Sequence, residues 1–428
     1  MKEEFLNLMA NLLGNDYDDF IKSYEEAPKR GLRSRINNDI KKEKLNFGIN
    51  EYKLLSDEKL GNSPIHHLGG IYLQEPSAMA PINIIDINPS WNCLDMCASP
   101  GGKSGQIAER LTNGLLVSNE IDKKRCQILF QNMERMGYDN VIVLNNDPKD
   151  LVNNFKGFFD LIILDAPCSG EGMFRKDSEA ISMWNLGNVS TCAKRDELLL
   201  EYANSMLKTG GIIIYSTCTF SPEEDESQII NFLKKHDYSV VTPNNNVLES
   251  GAKGLIDGAI RYYPHNSVGE GQFMCAIKKN EEIESSLKKG KFSKLESKEL
   301  KLVNEFLNES VSNLNLNLIK KNNQIYHLVS DINLDGLNVL SYGVKIGEID
   351  KRFIPNHHFF KVFGKYFKNI LELKLDDPNV LKYLRGEQLD IEMPKGYGVI
   401  MIDGLSLGGF KSSDGVLKNL YPKGLRNF

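Results

Sequence analysis

The chain has 428 residues, more than one hydrophobic core usually supports, so about two to four domains are expected. Its hydrophobic fraction of 41% and charged fraction of 25% are ordinary for a soluble globular protein, and the net charge of -5 excludes a uniformly basic nucleic-acid coat. No apolar stretch is long enough to cross a bilayer and the acidic start MKEEF lacks the basic region of a signal peptide, so we expect a cytoplasmic protein without a membrane partner.

The chain opens with a segment that carries two helical patterns, FLNLMANLL and DYDDFIKSYEEA, followed by a polar stretch through Lys44. We therefore expect residues 1–70 to form a small helical N-terminal lobe. Its basic cluster, Lys29 to Arg35, and the cluster from Lys411 to Arg426 at the other end of the chain are candidates for contacts with nucleic acid. A solvated face is the commoner role of a single cluster.

From residue 71 to residue 280, apolar runs alternate with amphipathic segments in the manner of βαβ units, for example LLVSN, then KKRCQILFQNMERMG, then VIVLNND. This alternation predicts a doubly wound, Rossmann-like α/β domain. Residues 281–300 are rich in Lys, Glu and Ser and predict a linker. Short alternating runs such as QIYHLV, VLSYGVKIGEI and GYGVIMI then predict a mostly β C-terminal region, which we divide into domains 301–365 and 366–428.

A glycine-containing loop, CASPGGKS, lies between the strand candidate WNCLDM and the helix candidate GQIAERL. Gly101 and Gly102 allow backbone N–H groups to approach a ligand closely. Glu120 ends the next strand about twenty residues on, a position that suits an acid accepting both hydroxyls of a ribose. Asp147 follows the third strand and can reach an adenine edge.

The same loop offers a competing interpretation, because Gly102, Lys103 and Ser104 match the end of a phosphate-binding loop and LIILD resembles a magnesium-binding strand of NTPases. That pattern requires glycine where this chain has Cys97. A loop with one proline and a single glycine pair better fits a cofactor that lacks phosphate.

Two apolar runs end at cysteines, LIILDAPCSG at Cys168 and IIIYSTCTF at Cys218. Each run predicts a buried parallel strand, and the carboxyl ends of such strands open onto one crevice. Cys97, Asp165, Cys168 and Cys218 are therefore expected on one rim. Seven cysteines, an odd number, indicate free thiols in a reducing compartment, and we expect the other cysteines, Cys93, Cys126, Cys192 and Cys275, to be small buried hydrophobes. Cys93 and Cys97 have no second close pair of ligands, so no metal site is predicted.

Two thiols and an acid beside a nucleotide-like cofactor suit the methylation of C5 of a pyrimidine. A thiolate that adds to C6 makes C5 nucleophilic, and loss of the C5 proton later lets the thiol leave. The reaction also needs an acid at the N3 and N4 edge and a group that assists elimination. Asp165, Cys168 and Cys218 supply that set.

Seven segments together resemble the Nop/Sun family of RNA 5-methylcytosine methyltransferases, and the agreement covers most of the chain. The resemblance favours the bacterial ribosomal-RNA branch, whose C-terminal part is a PUA-like RNA-binding domain. The segments are YLQEPSAMAP (72–81), CASPGGKS (97–104), SNEIDKKR (118–125), DAPCSGEGMF (165–174), STCTFSPEEDE (216–226), RYYPHNSVGEGQF (261–273) and LKNLYPKGLRNF (417–428).

The resemblance implies S-adenosylmethionine as the cofactor. It implies that Glu120 binds the ribose, Asp147 the adenine, and Asp165 the region between cofactor and cytosine. Cys218 matches the family's nucleophile and Cys168 the residue that assists release. In DNA cytosine methyltransferases the cysteine after proline is the nucleophile, so Cys168 is the second candidate. The loop residues that the resemblance assigns to the cofactor are Cys97, Ala98, Ser99, Pro100, Gly101, Gly102 and Lys103.

The resemblance further implies an RNA partner: ribosomal RNA of the small subunit or a ribosomal particle, with transfer RNA as the second choice. We expect a monomer. Ser99, Asp196 and Asn266 depart from the family pattern, and the last two weaken the expected RNA contacts there. A non-catalytic RNA-binding assembly factor is the alternative function, although Asp165, Cys168 and Cys218 are all retained.

Overall fold

The computed structural model describes residues 1–285 and 288–426, so the linker residues 286–287 and the last two residues of the C-terminal motif lie outside the described part. The N-terminal lobe consists of α1 (Glu3–Leu13), α2 (Tyr17–Ser23), β1 (Gly31–Ser34), β2 (Lys42–Lys44), β3 (Glu51–Leu54), α3 (Pro64–His67) and β4 (Ile71–Leu73). Its strands form an antiparallel sheet in the order β2–β3–β1–β4.

This sheet corrects the prediction of a helical lobe for residues 31–54, while the two predicted helices are present. The strands are three or four residues long, and β2 is the polar sequence KEK with its side chains largely exposed. A segment this short and polar has no alternation of apolar and polar residues, which is the pattern that predicts a strand. It becomes a strand because it pairs with β3.

The central domain is built on a mixed sheet with helices on both faces. Its elements are β5 (Asn92–Asp95), α4 (Gly102–Ala108), β6 (Leu115–Asn119), α5 (Lys123–Met136), β7 (Val141–Leu144), α6 (Pro148–Phe155), β8 (Phe159–Asp165), α7 (Ser178–Met183), α8 (Leu186–Met206), β9 (Leu207–Thr217), α9 (Glu226–Lys235), β10 (Tyr238–Val240), α10 (Asn245–Glu249), β11 (Ala252–Lys253), β12 (Ile260–Tyr262) and β13 (Gln272–Lys279).

The parallel strands have the order β9–β8–β5–β6–β7, and β13 joins β9 antiparallel. The chain fills β5, β6 and β7 outward and then crosses back to place β8 on the other side of β5. The winding therefore reverses between β5 and β8, which is where ligands bind in open α/β sheets. The loops that carry Cys97 and Cys168 leave the sheet at this point. The Rossmann-like prediction is confirmed.

Both faces of this sheet are covered, which explains why its strands are continuous apolar runs in the sequence. In β8, Leu161 and Ile163 belong to the core on one face, and Ile162 and Leu164 belong to the core on the other.

The C-terminal region contains two four-stranded sheets, in the orders β14–β15–β17–β18 and β19–β20–β21–β22. Helix α11 spans residue 300, where the sequence predicts that the linker ends and the first C-terminal domain begins. The division of the C-terminal region into domains 301–365 and 366–428 stays a prediction. The elements are α11 (Ser297–Ser310), β14 (Leu318–Lys321), β15 (Gln324–Leu328), β16 (Val339–Ser341), β17 (Gly343–Ile349), β18 (Phe353–Pro355), α12 (His357–Phe363), β19 (Asn369–Glu372), α13 (Pro378–Arg385), β20 (Gly396–Ile402), β21 (Leu405–Ser413) and β22 (Val416–Asn419).

One C-terminal strand belongs to the central sheet. The run VLSYGVKIGEI divides between two sheets at Gly343, whose φ of 128° lies in the region that favours glycine. β16 before it pairs antiparallel with β7, and the carbonyl of Asn338 accepts a hydrogen bond from the backbone N–H of Asn145 at 2.9 Å. The C-terminal region thus extends the edge of the central sheet.

The C-terminal region also contacts the N-terminal lobe. The buried Lys361 donates hydrogen bonds to the carbonyls of Leu68, at 2.7 Å, and Ser406, at 2.6 Å. Nδ1 of His67 lies 2.8 Å from the hydroxyl of Tyr421. Burial and, secondly, the charge of Arg135 lower the pKa of His67 to about 4 and that of His66 to about 3. This junction is therefore built around neutral imidazoles.

The N-terminal helices pack on the loops that follow β8 and β9. Phe5 is fully buried, with its ring centroid 4.9 Å from that of Phe174 and 5.6 Å from that of Trp184. Phe20 meets Phe220 edge-on at 5.7 Å. Among residues 1–285 and 288–426, we find no helix with both the length and the apolar character to cross a membrane.

Replacing Phe5 by alanine is expected to destabilise the protein by about 3 to 4 kcal/mol, because it leaves a cavity among aromatic rings. Denaturant unfolding followed by tryptophan fluorescence measures this loss, since Trp184 packs against Phe5. The matched control, Asn7→Ala, changes an exposed residue of the same helix and should shift stability by less than about 0.5 kcal/mol. Equal effects of the two changes would contradict this packing.

Acidification should weaken the junction of the terminal regions. Because the folded protein lowers these histidine pKa values, stability is fully present above about pH 6.5 and is lost as the pH falls toward 4. The melting temperature of His66→Gln should therefore fall less between pH 7.5 and pH 5 than that of the unchanged protein. Identical pH profiles for the two proteins would show that His66 does not contribute.

Candidate active site

Two cysteines from neighbouring strand ends are in contact. Cys168 follows β8, Cys218 follows β9, and their Sγ atoms lie 3.2 Å apart although 50 residues separate them in the chain. Neither residue is fully buried, whereas Cys93, Cys126, Cys192 and Cys275 are, as the sequence predicts. The structure therefore brings together the two sulfur atoms that the sequence singles out.

The two thiols are not equivalent. The hydrogen bond with Cys218 and, secondly, burial raise the pKa of Cys168 well above its ordinary value. A thiol whose pKa is raised holds its proton more firmly, so Cys168 stays a protonated thiol. It therefore places a protonated sulfur 3.2 Å from the sulfur of Cys218.

Asp165 lies at the end of β8, three residues before Cys168, and is held from several directions. Nζ of the buried Lys103 lies 2.8 Å from its Oδ2. Its Oδ1 accepts hydrogen bonds from Oγ of Ser216 at 2.7 Å and from Nε2 of Gln272 at 3.3 Å. These donors fix the direction of a carboxylate that is about one third exposed.

A cavity of about 310 Å³ lies beside this carboxylate, between the loop after β5 and the N-terminal lobe. Six residues of the predicted cofactor loop and Asp165 line it. Gly101, with φ of 104°, makes the turn into α4 and does not line the cavity. The six loop residues are Cys97, Ala98, Ser99, Pro100, Gly102 and Lys103.

The cavity wall also contains three polar residues that are not predicted from the sequence: Gln74, Glu75 and Asp95. Burial raises the pKa of Asp95 to about 7, and its Oδ2 accepts a hydrogen bond from Oγ of Ser104 at 2.6 Å. Its Oδ1, like Oε1 of Gln74, is buried and accepts no hydrogen bond from the described residues. Two residues of the cavity wall therefore each keep a buried acceptor without a partner, and such an acceptor suits a ligand that carries an amino group.

Asp95 could have been predicted from the sequence as a site residue, because it is the last residue of the strand that precedes the cofactor loop. Gln74 and Glu75 lie in the segment YLQEPSAMAP, and their approach to the cavity depends on the packing of the N-terminal lobe on the loop. Oε1 of Glu75 accepts hydrogen bonds from the backbone of Ser77, at 3.1 Å, and Glu270, at 2.9 Å.

Glu120 and Asp147 lie farther along the same edge of the sheet and do not line this cavity. Glu120 is buried, and its Oε1 accepts a hydrogen bond from the backbone N–H of Asp122 at 2.9 Å. Asp147 is about one third exposed and caps α6 by accepting a hydrogen bond from the backbone N–H of Lys149 at 3.1 Å. Their predicted contacts with ribose and adenine remain predictions.

Within residues 1–285 and 288–426, no group of three or more His, Cys, Asp or Glu side chains could hold a metal ion. Cys97 has a pKa raised above its ordinary value by burial first and by neighbouring acids second, so it is a protonated thiol in the cavity wall.

Family models match three consecutive parts of the chain. Residues 1–76 match the N-terminal domain of 16S rRNA methyltransferase RsmF, and residues 83–278 match 16S rRNA methyltransferase RsmB/F. Residues 370–427 match the PUA domain of methyltransferase RsmF.

Solved structures share the fold of the catalytic part. A methyltransferase homolog protein from Pyrococcus horikoshii has a TM-score of 0.55 and 24% identity, over 65% of this chain and 95% of that one. NSun6 from Pyrococcus horikoshii with SFG has a TM-score of 0.58 and 18% identity, over 66% of this chain and 99% of that one.

Relatives of known name resemble the chain over most of its length. Ribosomal RNA small subunit methyltransferase F of Aeromonas salmonicida is 30% identical over 390 residues, which cover 86% of this chain and 81% of that protein. The protein of the same name from Psychromonas ingrahamii is 32% identical over 392 residues, again covering 86% and 81%. With its N-terminal, catalytic and PUA parts all matched, the chain belongs to the RsmF family of 16S ribosomal RNA methyltransferases.

Proposed function

We propose that this protein methylates C5 of a cytosine in 16S ribosomal RNA, with Cys218 as the nucleophile and Cys168 as the group that assists release. The cofactor is S-adenosylmethionine, which supplies an electrophilic methyl group when bound. The observation that carries the proposal is the 3.2 Å contact between the two sulfur atoms, on the loops that follow the neighbouring strands β8 and β9.

The raised pKa of Cys168 supports these roles, because it keeps that thiol protonated. The other sulfur, that of Cys218, is therefore proposed as the nucleophile toward C6 of cytosine. Asp165 ends the strand that leads to Cys168, and we propose that it binds the N3 and N4 edge of the base and stabilises the charge that develops during addition.

The hydrogen bond between the thiols also explains how Cys168 changes role. Once Cys218 has formed a bond to C6 it is a thioether, and the main cause of the raised pKa of Cys168 is gone. Cys168 then releases its proton to water, and its thiolate removes the proton from C5 of the methylated base. The bond between C6 and sulfur breaks, and its electron pair returns to Cys218. One proton is released for each methyl group transferred.

The cavity beside Asp165 is our proposed site for the methionine part of the cofactor. The unpaired oxygen atoms of Asp95 and Gln74 suit its amino group, and the loop from Cys97 to Lys103 surrounds it. The neighbouring strand ends extend this site along the sheet, so Glu120 is proposed to bind the ribose and Asp147 the adenine.

The terminal regions are proposed to hold RNA on either side of the target base. A cytosine must leave its stack to reach the thiols, which is easiest in single-stranded or loosely paired RNA. We further propose that the enzyme acts as a monomer in the cytoplasm, on ribosomal RNA or a ribosomal particle.

Exchanging each cysteine separates the two roles. Cys218→Ala should form no covalent complex, because nothing adds to C6. Cys168→Ala should accumulate a covalent complex with RNA that contains ordinary cytosine, because elimination fails. Denaturing gels of enzyme mixed with labelled 16S RNA and S-adenosylmethionine measure both outcomes.

The control is Cys93→Ala, which removes a buried thiol on β5 and should behave like the unchanged enzyme. Loss of the complex in Cys168→Ala with retention in Cys218→Ala would reverse the roles. If no variant and no RNA containing 5-fluorocytosine gives a complex, the thiol mechanism is wrong.

Cofactor affinity tests the role of Asp95. Asp95→Asn should weaken the binding of S-adenosylmethionine about tenfold or more, because a charged hydrogen bond to the amino group is lost. Calorimetric titration measures the change, with Asp139→Asn, an exposed aspartate, as the control. Equal affinity of Asp95→Asn and the unchanged protein would remove Asp95 from the site.

A further inference from the structure

We propose that two buried glutamates, Glu171 and Glu224, are positioning residues that set the distance between the thiols. Each glutamate belongs to one cysteine-bearing loop and binds the other loop. This inference rests on the proposed roles of Cys168 and Cys218, and it assigns the residues that keep those roles coordinated.

Glu171 lies three residues after Cys168 and is completely buried. Its Oε2 accepts a hydrogen bond from the backbone N–H of Phe220 at 2.8 Å. Its Oε1 accepts hydrogen bonds from Oγ of Ser221 at 2.6 Å and from Nε1 of Trp184 at 2.8 Å. The carboxylate of Glu171, on the loop of Cys168, thus binds Phe220 and Ser221, on the loop of Cys218.

Glu224 makes the opposite connection, from the loop of Cys218 to that of Cys168. Its Oε2 accepts a hydrogen bond from the backbone N–H of Ser169 at 2.8 Å, and its Oε1 accepts one from Oγ of Ser169 at 2.6 Å. Ser169 is the residue next to Cys168. Its hydroxyl also lies 2.8 Å from that of Thr219, the residue next to Cys218.

Backbone contacts complete the connection between the loops. The N–H of Gly172 donates to the carbonyl of Cys218 at 2.8 Å. A Cβ at position 172 would lie 2.9 Å from that same oxygen, so only glycine allows this approach. Arg261 supports the second loop from behind, donating from Nη1 to the carbonyl of Phe220 at 2.8 Å.

The chemistry of the donors distinguishes the two glutamates. At Glu171, one carboxylate oxygen accepts from a backbone N–H and the other from an indole N–H, and neither N–H group can act as an acceptor. In Glu171→Gln the side-chain NH2 group would therefore point at one of these N–H groups, and that hydrogen bond would be lost. At Glu224, glutamine can accept from the N–H of Ser169 and donate to its hydroxyl, which rotates. Glu224→Gln therefore preserves the connection, whereas Glu224→Ala and Glu171→Gln break it.

The decisive experiment measures the fraction of enzyme that is covalently bound to ordinary 16S RNA at steady state. It also measures kcat and the KM for S-adenosylmethionine. Glu224→Ala should raise the covalent fraction and lower kcat about tenfold to a hundredfold, because a misplaced Cys168 fails in elimination. The KM should stay unchanged, and Glu224→Gln should restore kcat. Glu223→Ala, at an exposed neighbouring glutamate, is the matched control and should behave like the unchanged enzyme.

A double variant separates positioning from general destabilisation. If Glu224 acts through Cys168, adding Glu224→Ala to Cys168→Ala leaves the decay rate of the complex unchanged. Ser169→Ala removes a single hydrogen bond and provides the same test should Glu224→Ala not fold. For Glu171→Gln we expect slower trapping by 5-fluorocytosine RNA, since the surroundings of Cys218 are disturbed.

The proposal is overturned if Glu224→Ala or Ser169→Ala lowers turnover without raising the covalent fraction, or if the effects of Glu224→Ala and Cys168→Ala on complex decay add. These results are distinguishable from failure of the proposed function. If Cys168→Ala itself accumulates no complex, the thiol roles fail; if it does and Glu224→Ala does not, only the positioning role fails.

Discussion

A hydrogen bond between two sulfur atoms, from strand ends 50 residues apart, is the contact on which the proposed chemistry depends. This contact is the largest cause of the raised pKa of Cys168, which keeps that thiol protonated. In the proposed reaction the cause is removed when Cys218 forms its bond to C6, so attack on the base is the event that frees Cys168 to act. No third titrating group is then needed between the two sulfur atoms.

Such a contact needs rigid surroundings, and the fold supplies them in layers. The parallel strands β8 and β9 bring the loops side by side, and the buried carboxylates of Glu171 and Glu224 connect the loops to each other. Outside them, Phe5 and Phe20 of the N-terminal helices pack on the aromatic residues of the same loops. The N-terminal lobe therefore supports the geometry of the two cysteine-bearing loops.

The sequence predicts the convergence of the cysteines for a simple reason. Continuous apolar runs predict buried parallel strands, and parallel strands end on one edge, so residues just after such runs must lie near one another. The cofactor loop and the mostly β C-terminal region are predicted by similarly local patterns.

What the sequence does not predict depends on pairing between distant segments. The strands of residues 31–54 are too short and polar to show periodicity, and β16 joins the central sheet through its partner β7. Glu171 and Glu224 look like ordinary surface acids in a polar loop. Only the packing of two loops against each other buries them and gives them their partners.

Mass spectrometry of a trapped complex tests the central claim most directly. The full-length enzyme is mixed with 16S RNA containing 5-fluorocytosine and S-adenosylmethionine, digested with protease and nuclease, and the peptide that carries the nucleotide is sequenced. The account predicts a methylated 5-fluorocytosine attached to the sulfur of Cys218 and to no other cysteine. Attachment to Cys168, or a peptide without any attached nucleotide, would contradict it.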